Sequence, residues 1–290
     1  MGKIRNLTIY SKKTPSDIRL LVISDIHRSK TKGKENLMMV KKLIDIDEID
    51  SVIIPGDIVN EVNDLEDKDF RSSLQEELLS ITNYKPTFAS LGNHDQMTHA
   101  KNGEWVLGKT QLLKETIQEI PNFHFIDNGE SYELGCLNFS ACSPDFTYYE
   151  DKDKKRSERE NPEDYQRIFN QTFDGNLFSE DTFNVLLTHE PQSIIRLSKE
   201  KGSCIQPNTD LVISGHMHNG LLPNFMQSFM VNRGLISPQM QLLPEYAQGI
   251  YQLNDTTFLI NGPINTRVES PFINSLYGPN ASVVTLKKTR

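Results

Sequence analysis

Leu20-Leu21-Val22-Ile23-Ser24-Asp25-Ile26-His27 runs from an unbroken aliphatic stretch into two metal-type donors within eight positions. A continuous apolar run, rather than an alternation, is what a strand buried on both faces requires. The same order recurs along the chain. Val52-Ile53-Ile54-Pro55 leads into Gly56-Asp57, Phe183-Asn184-Val185-Leu186-Leu187 into Thr188-His189-Glu190, and Leu211-Val212-Ile213-Ser214 into Gly215-His216-Met217-His218. A fifth polar fragment, Gly92-Asn93-His94-Asp95, completes the set. Ligands of open α/β sheets gather beyond the carboxyl ends of the strands, so the five fragments are expected to share one site.

Between these runs the apolar spacing changes to that of amphipathic helices, predicted over residues 34–49, 70–81 and 105–120. Pro86 and Pro121 then restart extended chain. Strands are expected at residues 123–126, 132–134 and 137–139, in a hairpin at 250–253 and 257–260 around Asn254-Asp255, and at 282–286. This alternation favours α/β layering. The later strands are predicted to be mostly antiparallel, in a mixed sheet or two sheets packed face to face. Because the polar fragments extend from Asp25 to His218, a boundary inside that span would divide the site. One domain over residues 1–290 is therefore expected, with a charged insertion near 146–182 and an apolar loop or lid near 219–248. Residues 150–160 are almost wholly charged and are expected to form a solvated segment.

With 31 basic and 39 acidic residues the net charge is −8, so no general basic field is available to hold extended nucleic acid. Three cysteines, Cys136, Cys142 and Cys204, have neither metal-type spacing nor an even count, and are expected to be reduced and structural. No run reaches the ~18 apolar residues of a membrane span. The sequence as given is expected to be soluble and cytoplasmic, or membrane-associated if an upstream anchor was removed.

The donor types define the chemistry. Asp25 and Asp57 supply carboxylates, His27, His189, His216 and His218 supply imidazole nitrogens, and Asn93 supplies a neutral amide oxygen. Such a set exceeds what one tetrahedral ion needs and suits two divalent ions sharing a carboxylate. Mixed nitrogen and oxygen ligands accept manganese, iron, zinc or nickel. Two divalent ions against two carboxylates leave a net positive centre, which draws an anion even with a bridging hydroxide. A phosphoester fits, with the hydroxide as nucleophile and the ions neutralising phosphoryl charge. The leaving alkoxide needs a proton, which His94 is placed to give, with Asp95 expected to hold its imidazole.

Asp-x-His, Gly-Asp, Gly-Asn-His-Asp, a lone His and Gly-His-x-His, in this order, resemble the calcineurin-like metallophosphoesterases, and the likeness covers residues 19–218. The resemblance implies a four-layer α/β/β/α sandwich of two mixed sheets flanked by helices. It also implies one metal at Asp25, His27, Asp57 and His218, a second at Asp57, Asn93, His189 and His216, and His94 as the acid. Some relatives cleave the pyrophosphate of a nucleotide-linked lipid. Asn60 and Glu61 stand where many relatives have Asp or Asp-Arg, which disfavours a protein phosphatase and leaves a phosphodiesterase or pyrophosphatase. Gly215-His216-Met217-His218-Asn219-Gly220 also departs from the Gly-His-Thr-His-Gly-Gly of close relatives.

The apolar residues after His218 suggest a small or lipid-linked substrate and peripheral membrane contact. A nuclease and a non-catalytic interaction scaffold of the same fold are the alternatives. The complete ligand set favours an enzyme over the scaffold, and the acidic balance disfavours the nuclease. Arg28 and Arg233 are open between substrate contact and salt bridges. Glu190 is expected at the edge of the site, Asp145 in a turn, and His99 and His124 away from the chemistry.

Overall fold

The computed structural model describes residues 3–149, 162–172, 177–227, 229–230, 232–238, 240–265 and 279–289. The first half of the chain builds β1 (Lys3–Ser11), β2 (Ile18–Val22), α1 (Lys34–Leu43), β3 (Ser51–Pro55), α2 (Lys68–Thr82) and β4 (Thr87–Ser90). A small hairpin follows, β5 (Met97–His99) and β6 (Trp105–Leu107), then α3 (Thr110–Gln118) and β7 (Phe123–Phe125). The second half holds β8 (Ser131–Leu134), β9 (Leu137–Ala141), α4 (Phe146–Tyr149), α5 (Pro162–Thr172), β10 (Phe183–Leu187), α6 (Pro191–Lys201) and β11 (Leu211–Ser214). It ends with β12 (Gly249–Leu253), β13 (Thr256–Ile260) and β14 (Asn280–Lys288).

These strands form two six-stranded sheets, ordered β1-β14-β2-β3-β4-β7 and β12-β13-β11-β10-β9-β8. The apolar runs are continuous because alternate residues serve two different cores. Leu20, Val22, Ile53 and Phe88 of the first sheet meet Phe139, Val185, Leu187, Ile213 and Leu259 of the second. Their neighbours Leu21, Val52, Ile54 and Ala89 point the other way, into a core with Leu37, Phe70, Leu74, Leu78 and Leu113 of the helices. On the far side Leu186, Val212 and Phe258 pack with Tyr165, Ile168, Ile194 and Ile195. Each fully buried aliphatic side chain contributes ~1.5–3 kcal/mol. Helix, sheet, sheet and helix thus form four layers, as the resemblance implied.

The strand directions match the sequence expectation in part: of the later strands, β8 with β9, β12 with β13, and β14 with β2 pair antiparallel, but the interior of the second sheet does not. β9, β10, β11 and β13 are mutually parallel, and only β8 and β12, at the two edges, run antiparallel to their neighbours. In the first sheet β2, β3, β4 and β7 are parallel, while β14 runs antiparallel to β2 and parallel to β1. Strands with both faces buried and helical crossovers favour parallel pairing. The expected hairpin turn is present between β12 and β13, with Asn254 left-handed at φ 49°.

Two helices are shorter than their apolar spacing suggests. α1 stops at Leu43 because Ile44 is extended and the Asp45 side chain accepts the Asp47 N–H, starting a separate one-turn helix at Ile46–Glu48. The stretch predicted helical from residue 105 begins instead as β6, paired with β5. Gly108, whose absent Cβ makes room for the Val62 side chain, turns the chain into α3. The helix expected over 70–81 spans Lys68–Thr82, capped by Asp67. β1 escapes a reading by apolar runs because it alternates half-buried and exposed residues at a sheet edge. Residues 150–160 lie outside the described residues.

Candidate metal centre

The loops after β2 and β3 leave their sheet side by side. The Asp25, His27 and Arg28 N–H groups donate to the Gly56, Asp57 and Ile58 carbonyls at 3.3, 3.0 and 3.0 Å. From the second sheet, the Gly215 N–H donates to the His189 carbonyl at 3.2 Å. The His216 N–H reaches across to both oxygens of Asp25, at 3.0 and 3.1 Å, and ties the two sheets together at the site. Asp25, His27, Asp57, His216 and His218 all have left-handed backbone, with φ between 44° and 66°. Non-glycine residues there carry strain of ~1–3 kcal/mol each and cluster at functional sites.

The side chains converge. His189 Nε2 is 3.1 Å from Asp57 Oδ2 and 3.9 Å from Asp25 Oδ1. His27 Nε2 lies 3.5 Å from Asp57 Oδ2 and 3.1 Å from His218 Nε2, which is itself 3.4 Å from Asp25 Oδ1. His216 Nδ1 is 3.1 Å from Asn93 Oδ1. Three overlapping groups could each hold a metal ion: Asp25, His27 and His218; Asp25, Asp57 and His189; and His27, Asp57 and His94. All seven ligand candidates are therefore brought to one place, and His94 lies against them.

Burial and charge fit cations. Asp25 and Asp57 are inaccessible to solvent, and among the described residues their ion-pair partners are histidines alone. Burial raises the Asp25 carboxyl, whereas at Asp57 the charges of His189 and His94 overcome burial and hold it well below the usual carboxylate range. Burial opposes the His189 imidazolium, yet the charge of Asp57 raises it to about 10. Among the described residues the buried His189 Nε2 makes no well-aligned hydrogen bond, its 3.1 Å approach to Asp57 Oδ2 being an ion-pair contact, while Nδ1 faces the Pro55 carbonyl at 2.8 Å. A proton on Nδ1 leaves the Nε2 lone pair for a metal, as metal-binding histidines require.

Asp95 does something other than hold the His94 imidazole. Its Oδ2 accepts the backbone N–H groups of Asp57 and Gly92 at 2.7 and 2.9 Å, and its Oδ1 those of Ile58 and Val59 at 2.8 and 3.1 Å. The His94 Nδ1 instead faces the Asn60 carbonyl at 2.7 Å. The reason is local. The turn after β3 presents consecutive N–H groups, and a buried carboxylate is their strongest acceptor. Gly56 and Gly92 allow this turn to pack against the Gly92 loop, since a Cβ on Gly56 would stand 2.6 Å from the Gly92 Cα.

Both candidate arginines are engaged in ion pairs. Arg28 is buried in a two-point pair with Glu77, at 2.7 and 2.9 Å, and lies over the Phe70 ring. Arg233 pairs with Glu245 at 2.9 Å. Glu190 caps α6 by accepting the Gln192 and Ser193 N–H groups, and Asp145 accepts from Thr147 and Tyr148 in a turn. His124 stacks on Phe88, and His99 pairs with Glu61 at 2.9 Å. The carbonyls of Pro55 and Asn60, which orient two imidazoles, carry no signal in the sequence.

A family model of calcineurin-like phosphoesterases matches residues 18–220, a span that contains every polar fragment. The chain belongs to this family. A Helicobacter pylori protein named uncharacterized metallophosphoesterase is 26% identical over 265 residues, covering 88% of this chain and 56% of its own length. A protein of the same name from Aquifex aeolicus is 23% identical over 289 residues, covering 98% and 92%. The chain thus spans little more than half of the Helicobacter relative, at 56%. Among solved structures, a dimetal phosphatase from Danio rerio aligns with TM-score 0.44 at 10% identity, over 92% of this chain and 91% of that one.

Proposed function

We propose that this calcineurin-like phosphoesterase hydrolyses a phosphodiester or pyrophosphate, using two divalent ions. One observation carries the reading: two solvent-inaccessible carboxylates face four imidazoles and a carboxamide at the ends of strands from both sheets. Asp25, His27, Asp57 and His218 would hold one ion, and Asp57, Asn93, His189 and His216 the other. Bound there, paired ions lower the pKa of a water and neutralise phosphoryl charge. The chain's own part is to seat the phosphate and to protonate the leaving group. With its Nδ1 at the Asn60 carbonyl, the His94 ring is oriented beside the ligands, where it would give a proton to the leaving oxygen.

The substrate class follows from what surrounds the centre. With Arg28 tied to Glu77 and Asn60-Glu61 in the position of a phosphate-holding Asp-Arg, a diester or pyrophosphate suits the site better than a phosphoprotein. Leu221, Phe225, Phe229, Met240, Leu242 and Leu243 are exposed in the segment that begins beside His218. That apolar surface favours a lipid-linked substrate and contact with a membrane surface.

The test is a screen of phosphomonoesters, phosphodiesters and nucleotide pyrophosphates, with manganese, iron, zinc and nickel each restored to stripped protein. Hydrolysis of diesters or pyrophosphates is expected, with Asp57→Asn losing bound metal and activity together. Protein that takes up no metal, or that is metal-loaded and inert toward every ester, refutes the proposal. Inert but metal-loaded protein would instead support the scaffold alternative.

A further inference from the structure

We propose that Trp105 is a positioning residue for His94, clamping the imidazole against the metal centre so that its proton reaches the leaving oxygen. The inference rests on the phosphoesterase reading and extends it to a residue outside every motif. A contact between Nδ1 and the Asn60 carbonyl fixes one point of the His94 ring. Two further rings bracket it. His27 meets it edge-on at 4.7 Å and 88°, on the side of the ligands, and Trp105 meets it edge-on at 4.9 Å and 84°. These are favourable edge-to-face aromatic geometries.

Trp105 is itself held. It lies directly opposite His99 in the β5–β6 hairpin, and the two rings are 3.7 Å apart. His99 Nδ1 is 2.9 Å from Glu61 Oε1, while Glu61 Oε2 accepts the His99 N–H at 3.0 Å and the Thr98 hydroxyl at 3.3 Å. Glu61 directly follows Asn60. One dipeptide therefore fastens the imidazole through a carbonyl and the hairpin through a carboxylate. Any drift of the hairpin away from His94 would break the Glu61 contacts. The hairpin thereby acquires a purpose in the chemistry, which its peripheral place in the fold does not suggest.

The experiment compares bis(p-nitrophenyl) phosphate, whose aryl leaving group needs no proton, with adenosine 2′,3′-cyclic phosphate, whose leaving group is an alkoxide. Trp105→Ala, Trp105→Leu, Trp105→Phe and His94→Ala are measured, with each of the first two also combined with His94→Ala. Bound metal and melting temperature are followed throughout. Trp105→Ala and Trp105→Leu should lower kcat on the cyclic ester about tenfold or more, leaving KM, metal content and the aryl ester within about twofold. Trp105→Phe should restore most of the rate. In the His94→Ala background neither substitution should have a further effect.

Trp105 is the only tryptophan, so its emission reports the contact directly. His99, at 3.7 Å, remains as a neighbour of the indole in His94→Ala, so loss of the His94 ring should change the intensity or the maximum of that emission. Equal losses on both esters, additivity with His94→Ala, or an unchanged emission would each overturn the proposal while leaving the phosphoesterase reading intact. A metal-loaded parent protein inert toward every ester and pyrophosphate of the screen would remove the reading and the proposal together.

Discussion

Replacing Asp95 with Asn separates a scaffold role from a catalytic one. The carboxylate accepts four backbone N–H groups, two on each oxygen. An Asn keeps one oxygen and turns an NH2 toward the other two donors. Hydrogen bonds to a charged group contribute ~1.5–3 kcal/mol each, so losing two costs on the order of 3–6 kcal/mol. In a chain of this length that lowers the melting temperature by roughly 5–10 °C. Burial, and then the charge of Asp57, push the Asp95 carboxyl up to about 7 in the absence of cations. Bound cations favour its ionised form. The difference between parent and variant should therefore be larger in metal-loaded protein than in metal-stripped protein near neutral pH. Calorimetry of both forms, with metal quantified by elemental analysis, supplies the readout. Were Asp95→Asn to melt within about 2 °C of the parent in the metal-loaded form and keep its metal while kcat fell, the carboxylate would serve the imidazole after all. The reasoning from the four N–H donors would then be wrong.

Gly92→Ala puts a methyl group onto Asp57 Oδ1 and the Asp57 backbone nitrogen, so the shared carboxylate must move. A cost of ~1–3 kcal/mol and a loss of bound metal are expected; full metal occupancy in the purified variant would count against the packing argument. Glu77→Gln leaves the Arg28 guanidinium buried without its counter-charge, which costs about 3–5 kcal/mol, measurable by urea unfolding at pH 7. Burial works to raise the Glu77 carboxyl, but its hydrogen bonds from Arg28 and Ser73 bring it below its ordinary value. The pair's contribution is thus present at neutral pH and lost as pH falls through that lowered value. Parent and variant should converge in acid, and a gap that persists there would exclude the ion pair as its cause.

Donor chemistry and apolar continuity are properties of short segments, so they are legible from one chain. Leu20–Ile23 followed by Asp25 and His27 already contains a strand buried on two sides and two ligand candidates at its carboxyl end. Spacing could not decide strand direction in the second sheet, because buried apolar strands look alike whichever way their neighbours run. Nor could it separate β6 from α3, since Trp105 satisfies the apolar spacing of a helix as well as that of a hairpin, and Val62 against Gly108 arbitrates. The partners of polar groups were least accessible. Asp95 stands next to His94 in sequence, yet it binds backbone N–H groups of residues 57–59, and His94 finds the carbonyl of Asn60. The sequence by itself determined which atoms can hold metal and that they end buried strands, because both follow from residue type and local order. Only the tertiary structure decided which acceptor each buried donor takes, because that depends on which distant backbone groups folding brings within about 3 Å.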